Sequence, residues 1–421
     1  MGIKFNAFHA MPHQPKLIFL NRYFYPDHSA TSQLLSDLAF YLARQGCSVT
    51  VITSRQMYDD PSARLSANEE ISGVQVKRVW TSRYGRGGLG GRALDYLTFY
   101  WSAAWTLWRA VSRGDVIVAK TDPPLISVIA AAVARIRRAR LINWIQDLFP
   151  EVASGLHVKG FNGWIGSALK QMRNVALNMA ETNVVIGDRM SDLLVAQGVT
   201  PDRITVIHNW SDSEIVKPVR REVNPLRRQW GLEDKFVVGY SGNMGRAHEF
   251  KTILDAAWLL REKSDIVFLF IGGGAQKIYI ADQVANLGLT HCMFQPYQPR
   301  EQLANSLSLP DIHLISLLPV LEGLIVPSKF YGIAAAGRPT LHIGDVRGEI
   351  PRILKRNECG YAVPLGDPKS LAAILRKLSE NREACDILGR NARIAVDKFY
   401  NKPLALAAWW GIIGAGSHQN E

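Results

Sequence analysis

The chain has 421 residues, 47% of them hydrophobic, and a formal net charge of +12. That length exceeds one ordinary core and predicts two domains, while the mixed composition excludes a disordered or low-complexity protein. The four cysteines, Cys47, Cys292, Cys359 and Cys385, lie far apart with no Cys-x-x-Cys pair, which argues against a disulfide framework or a zinc site and fits a reducing compartment.

The stretch from Met1 to Lys16 has no apolar core and does not read as a secretion signal, and the Met-Gly start lacks the Ser or Thr that a myristoylation site needs. Residues 16–21 read as a buried first strand, followed by the loop Arg22-Tyr-Phe-Tyr-Pro-Asp-His-Ser29. A helix is predicted over 30–44, with Leu34, Leu35, Leu38, Ala39 and Leu42 at helical spacing, then a second strand over 48–53. Strand, helix and strand in so short a span signal a doubly wound βαβ unit, which binds ligands at the carboxyl ends of its strands. Asp27 and His28 sit in the loop at such an end. A third strand is expected over 74–79 and a Gly/Arg linker with little fixed structure over 83–92, too irregular for a dinucleotide fingerprint.

Residues 96–108 are uncharged and carry Trp101, Trp105 and Trp108. The run is too short to span a bilayer, so it reads either as a helix in the lipid interface or as a core helix. Residues 77–140 hold twelve Lys or Arg against three Asp, a basic excess that points to an anionic partner, and the neighbouring Trp run favours a membrane surface. Strands follow over 115–119 and 141–145. Asp147 and Glu151 sit just past the second of these, where such domains do their chemistry, although a charged residue there can also be a simple cap. Further strands are expected over 183–186 and 204–207, with the domain boundary after His208.

The second half restarts the pattern. A strand over 236–241 leads through Gly242-Asn-Met-Gly-Arg246 into a helix over 249–261, and a strand over 266–271 ends in Gly272-Gly-Gly274. A glycine turn before a helix is an anion site, and Arg246 is placed to pair with phosphate oxygens. A short strand over 292–295, a helix over 299–306 and a strand over 311–316 lead to Glu322-Gly-Leu-Ile-Val-Pro-Ser-Lys329. Here Ser328 opens a helix that stops at Gly337, with Lys329 adding positive charge. A strand over 340–343 follows, and the apolar segment 404–413 is expected to cross back onto the first domain.

Taken in order, Tyr25-Pro26, Gln146-Asp-Leu-Phe-Pro-Glu151, Asn209-Trp210, Tyr240-Ser-Gly-Asn-Met-Gly245, Gly272-Gly-Gly274 and Pro327-Ser-Lys-Phe-Tyr-Gly332 with Gly337-Arg-Pro339 resemble the retaining glycosyltransferases of family 4. The resemblance is greatest to the bacterial group that builds O-antigen, colanic acid and capsules, and it covers nearly the whole chain. It implies the α/β GT-B architecture, two doubly wound Rossmann-like domains facing across a cleft. Residues 1–208 would form the acceptor and membrane-side domain, 209–397 the donor domain, and 398–421 a returning helix.

The resemblance further implies transfer from a nucleotide-sugar, UDP-linked, to a polyprenyl-diphosphate-linked saccharide by a peripheral enzyme on the cytoplasmic face of the cell membrane, with no metal or other cofactor. Gly242, Asn243, Gly245, Gly273, Gly323, Leu324, Ile325, Ser328 and Lys329 would line the donor. Asp147, Glu322, Arg246 and Lys251 would serve catalysis. Tyr25, Asp27, His28 and Glu151 would lie on the acceptor side, and residues 77–140 would meet the anionic membrane. No role in nucleic-acid binding is expected. Two departures stand out: Gly332 occupies the place of the Glu that holds the donor ribose in relatives, and Gln146 replaces a His. A catalytically inactive membrane-docking scaffold and a GT-B-fold sugar-nucleotide epimerase are the competing functions.

Overall fold

The computed structural model describes residues 15–58, 60, 62–85 and 88–415. The expectations for residues 1–14, and for Arg86 and Gly87 in the Gly/Arg linker, lie outside the described residues. Two sheets dominate. The first runs β1 (Leu17–Leu20), β2 (Val49–Ser54), β3 (Asn68–Ile71), β4 (Val74–Val79), β5 (Val116–Lys120), β6 (Arg140–Ile145), β7 (Thr182–Val185) and β8 (Ile204–Val206). Its spatial order is β3-β4-β2-β1-β5-β6-β7-β8, parallel except for the antiparallel β3–β4 pair. The second comprises β9 (Phe236–Asn243), β10 (Ile266–Gly273), β11 (Cys292–Gln295), β12 (Ile312–Ser316), β13 (Thr340–Gly344) and β14 (Gly360–Pro364), all parallel, in the order β11-β10-β9-β12-β13-β14.

The central strands are apolar on both faces because helices cover both sides of the sheet. In β1, β2 and β5 every residue is buried. The strand order reverses between β1 and β5 in one sheet and between β9 and β12 in the other. These are the switch points where doubly wound sheets open a ligand crevice.

Several expectations are corrected. Edge strand β3 was not foreseen: its sequence, Asn-Glu-Glu-Ile, is half acidic and reads as a loop, and pairing with β4 alone makes it a strand. The Gly/Arg stretch is not all linker, because a helix spans Leu89–Ala110 and takes in Gly90, Gly91 and Arg92. That helix buries Phe99, Ala103 and Leu107 against the sheet while Trp101, Trp105 and Trp108 face outward. It is therefore a core helix on one side and an aromatic surface on the other. The expected helix over 299–306 is a 3-10 turn, Arg300–Gln302, running into Leu303–Ser308.

The helix Lys402–Ala415 returns to the first sheet. Trp409 is fully buried there, its ring 4.7 Å from that of Trp144 on β6, and Trp144 in turn stacks on Trp210 at 5.8 Å. Lys402 pairs with Asp37 at 2.6 Å, and Asp37 also accepts from the Trp210 indole. The Asn209-Trp210 motif thus serves packing: Asn209 accepts from Gln146 at 3.0 Å, which ties Gln146 into the core as well.

Candidate active site

The loop after β12 crosses to the first domain. Leu148 N–H donates to Leu324 O at 2.9 Å, and Asp147 and Ile325 form an isolated antiparallel bridge. The carboxyl ends of the two sheets therefore face one another, with Asp147 on one wall and the 322–329 segment on the other.

On the donor-side wall, Gly242 and Asn243 close β9 instead of forming the expected free turn, and Gly273 closes β10 beside them. Glycine is required at Gly272, where φ is +130° and a Cβ would fall 2.3 Å from Gly242 O. Gly242 and Gly273 carry no side chain beside Asn243 at these strand ends, which lets a ligand come close to their backbone. Lys329 reaches this spot from the helix Lys329–Ala335. Its ammonium donates to Asn243 O at 3.0 Å and to the Tyr240 hydroxyl, and lies 3.8 Å from the Tyr240 ring centroid. Burial pushes the Lys329 pKa well below the usual lysine value, so a nearby anion would restore its charge. Arg246 is exposed beside this wall, with no ion pair among the described residues. Gly245 O accepts from Gln276 Nε2 at 2.7 Å, which fixes the loop. Lys251 is less suited to the role expected of it, since it is exposed and paired with Asp255 at 2.6 Å. Ser328 is exposed and makes no capping hydrogen bond.

Glu322, one of the residues expected to serve catalysis, is half-buried and holds the start of a helix. Its Oε1 accepts from Glu349 N–H at 2.7 Å, at the start of the helix Glu349–Arg356, and burial pushes its pKa up. The N-cap there is Gly348, which has no side chain to do the job; a Cβ on it would lie 2.4 Å from Glu322 Oε2. The device repeats one step on. Glu349 crosses to the first domain and accepts from Arg189 N–H at 2.9 Å, in the first turn of the helix Asp188–Ala196, whose N-cap is Gly187. Each glycine N-cap is served by a carboxylate from elsewhere, and the helix dipole adds to each bond. Gly323, at φ +77°, packs against Arg189 O in the same seam.

The acceptor-side wall gathers Arg22, Tyr23, Tyr96, Asp122 and Asp147 around the β1–β5 switch point. Arg22 N–H donates to Asp122 O at 2.6 Å, and its guanidinium lies 5.3 Å from the Tyr23 ring, 5.1 Å from the Tyr96 ring and 3.8 Å from Asp95. Desolvation by the walls pushes both Asp122 and Asp147 up to about 6, against the pull of Arg22 on the first and Lys120 on the second. Asp147 keeps an open surface toward the cleft, so solvent moderates the effect there and the upward direction is what matters. Lys120 is fully buried beneath them, donates to Thr31 O at 2.9 Å and sits 3.5 Å from the Trp144 ring centroid.

Among the acceptor-side candidates, Tyr25 and His28 are exposed at this rim. Asp27 is not free for a ligand, because it accepts from Ser29 N–H at 2.8 Å and Tyr58 N–H at 2.5 Å and so holds its own loop. Glu151 is likewise committed. Burial raises its pKa, but the two bonds from Arg173, at 2.5 and 3.0 Å, outweigh this and leave it below the usual value. Sequence reasoning missed Arg22, Lys120 and Asp122. Arg22 and Asp122 follow β1 and β5 in the same way that Asp147 follows β6, so the strand-end rule would have found them.

Residues 31–210 match the model of the glycosyl transferase 4-like domain, and residues 223–395 match that of glycosyl transferases group 1. A protein of Pseudomonas aeruginosa named as glycosyltransferase WbjE is 30% identical over 274 residues, 64% of this chain and 67% of that one. This is a family 4 glycosyltransferase. The colanic acid biosynthesis glycosyl transferase WcaI of Escherichia coli is 26% identical over 58% of this chain and 60% of its own length. In overall shape the molecule matches the crystal structure of Anabaena HepE in complex with UDP and glucose, with a TM-score of 0.72 at 15% identity over 95% of this chain and all of that one. The two facing parallel-sheet domains are those of the GT-B fold, as the resemblance implied. Within this glycosyltransferase, Gly332 lies on the helix Lys329–Ala335, where a Cβ would come 3.3 Å from Leu307 Cδ1.

Proposed function

We propose that the enzyme transfers a sugar with retention from a UDP-sugar to a polyprenyl-diphosphate-linked saccharide in bacterial surface polysaccharide synthesis. The observation that carries this reading is the meeting of Lys329 with the glycine-bearing ends of β9 and β10, opposite Asp147 across the cleft. The donor diphosphate lies against Gly242, Asn243 and Gly273, with Lys329 and Arg246 meeting the charge that grows on the departing nucleotide. The bond from the anomeric carbon to the phosphate oxygen breaks as the bond to the acceptor hydroxyl forms on the same face. The acceptor proton passes to the leaving phosphate. Asp147 accepts a hydrogen bond from that hydroxyl and orients it, a positioning role. The relatives named for colanic acid and amylovoran biosynthesis support the polysaccharide assignment.

No metal takes part in this reading, since side chains supply the positive charge. Titration of UDP by calorimetry tests it. Saturable binding that is unchanged by EDTA and weakened in Lys329→Met is expected; binding abolished by EDTA would reject the metal-free donor site.

The outer face of the first domain is the membrane-docking side. Outward-facing Trp101, Trp105, Ile136, Trp164, Met172 and Val175 come from the neighbouring helices Leu89–Ala110, Ile126–Arg137 and Trp164–Met179, with exposed Arg135 and Arg138 beside them. An aromatic and basic face of this kind suits an anionic lipid interface. No helix among the described residues is long and apolar enough to cross a membrane.

A further inference from the structure

A groove of about 520 Å³ lies outside the interdomain cleft, where the end of β4 meets the helix Leu89–Ala110. Lys77, Trp80, Trp101, Ser102 and Trp105 line it. The size falls in the range of small-molecule sites. Its three indoles are 63%, 82% and 61% exposed for Trp80, Trp101 and Trp105. They are not needed for the core, because Phe99, Ala103 and Leu107 fill that role from the other side of the same helix. Three Trp side chains from two elements, converging on one groove and left open, form a built apolar wall.

Charge narrows the choice of occupant. Lys77 sits in the groove, and the Arg109 guanidinium lies 5.8 Å from the Trp105 ring centroid. The acids on neighbouring β3 are committed: Glu69 pairs with Arg78, and Glu70 accepts from Gln75 at 2.6 Å. Gln75 is neutral, so Glu70 keeps its charge, and Lys77 with Arg109 leaves the rim a small positive excess around an apolar wall, which fits an amphiphile with an anionic head. Position narrows it further. Arg78, also in the lining, donates to Tyr25 O at 2.8 Å, so the groove abuts the loop on the acceptor side of the cleft.

We propose that this groove holds the first isoprene units of the polyprenyl diphosphate acceptor against Trp80, Trp101 and Trp105, with Lys77 at its diphosphate. The inference rests on the acceptor class proposed above. It makes the groove a chain-recognition site that adjoins the three-helix face and shares Trp101 and Trp105 with it.

The test uses the full chain and farnesyl diphosphate, with inorganic diphosphate and phosphatidylglycerol vesicles as the other arms, and a Trp80→Ser/Trp105→Ser variant. Both positions are exposed, and unchanged UDP affinity in the variant reports that it folds. Farnesyl diphosphate should bind saturably and more tightly than inorganic diphosphate, and the variant should lose about tenfold or more of that affinity. Equal affinity for farnesyl and inorganic diphosphate, or an unchanged variant, would overturn the proposal. So would a variant that loses only vesicle binding, because the groove would then be part of the bilayer contact. Failure of the transferase reading looks different: no donor would yield labelled lipid, even where farnesyl diphosphate binds.

Discussion

Asp122 and Asp147 carry a cost that their position explains. Their carboxyls are raised to about 6, above the unfolded value of about 3.9. Between those limits the folded state binds more protons than the unfolded one, so stability falls as pH rises from about 4 to about 6 and stays lower above that. Asp122→Asn should therefore raise the melting temperature at pH 7.5 while leaving it nearly unchanged at pH 4, measured by calorimetry at both pH values. Asp147→Asn keeps the size of the side chain but removes the ionised acceptor; it should lower kcat about 100-fold, the scale of a misplaced reacting group, with little change in UDP affinity. Wild-type kcat should rise with pH as the Asp147 carboxylate forms, with a midpoint above the usual carboxylate range. Lys329→Met removes a cation that makes charge-assisted bonds, worth about 1.5–3 kcal/mol, and UDP titration should show roughly ten- to hundredfold weaker binding. At this scale the sequence was a partial guide. Asp147 stands at the strand end and Lys329 at the helix start where they were expected, whereas Gly242 and Asn243 belong to the strand and not to the turn after it. Asp27 and Glu151 looked equally eligible, but their partners, Tyr58 N–H and Arg173, are 31 and 22 residues away and become neighbours only on folding.

The two glycine-capped helices form one seam between the domains. Glu322 serves the helix Glu349–Arg356, and Glu349 serves the helix Asp188–Ala196 across the interface. Glu349→Ala should cost about 1–2 kcal/mol, as loss of a helix cap does, and denaturant melts would read it; an unchanged midpoint would show that the cross-domain bond contributes nothing. Gly348→Ala should be at least as harmful, because its Cβ would meet Glu322 Oε2 at 2.4 Å. Most elements were legible in the sequence. The predicted helix over 30–44 is the observed one, and the apolar strands β1, β2, β9, β10 and β12 lie where buried parallel strands were expected. Polar edge strand β3 and the glycine-rich start of the helix Leu89–Ala110 were not legible. Pairing and packing, rather than local propensity, decide both.

At the scale of the molecule, the proposed reading gives the cleft to the reacting groups and the outer helix face to the membrane. The basic excess of residues 77–140 is not uniform in role. Arg137 donates to Val111 O at 3.0 Å and lies over Trp108, and Arg140 pairs with Glu181, so both help to hold the fold. Arg135 and Arg138 are exposed and make no such bonds among the described residues. Charge reversal at Arg135 and Arg138 should release the protein from phosphatidylglycerol vesicles in a flotation assay, with a loss that is steeper at low salt; unchanged flotation would remove this face from the membrane. The central claim is the coupled transfer itself. A panel of nucleotide-sugars incubated with purified protein and polyprenyl-diphosphate-linked saccharide, scored for nucleoside diphosphate and labelled lipid, tests it most directly. The account predicts release from a UDP-sugar matched one to one by labelled lipid; release without lipid labelling, or none from any donor, would contradict it.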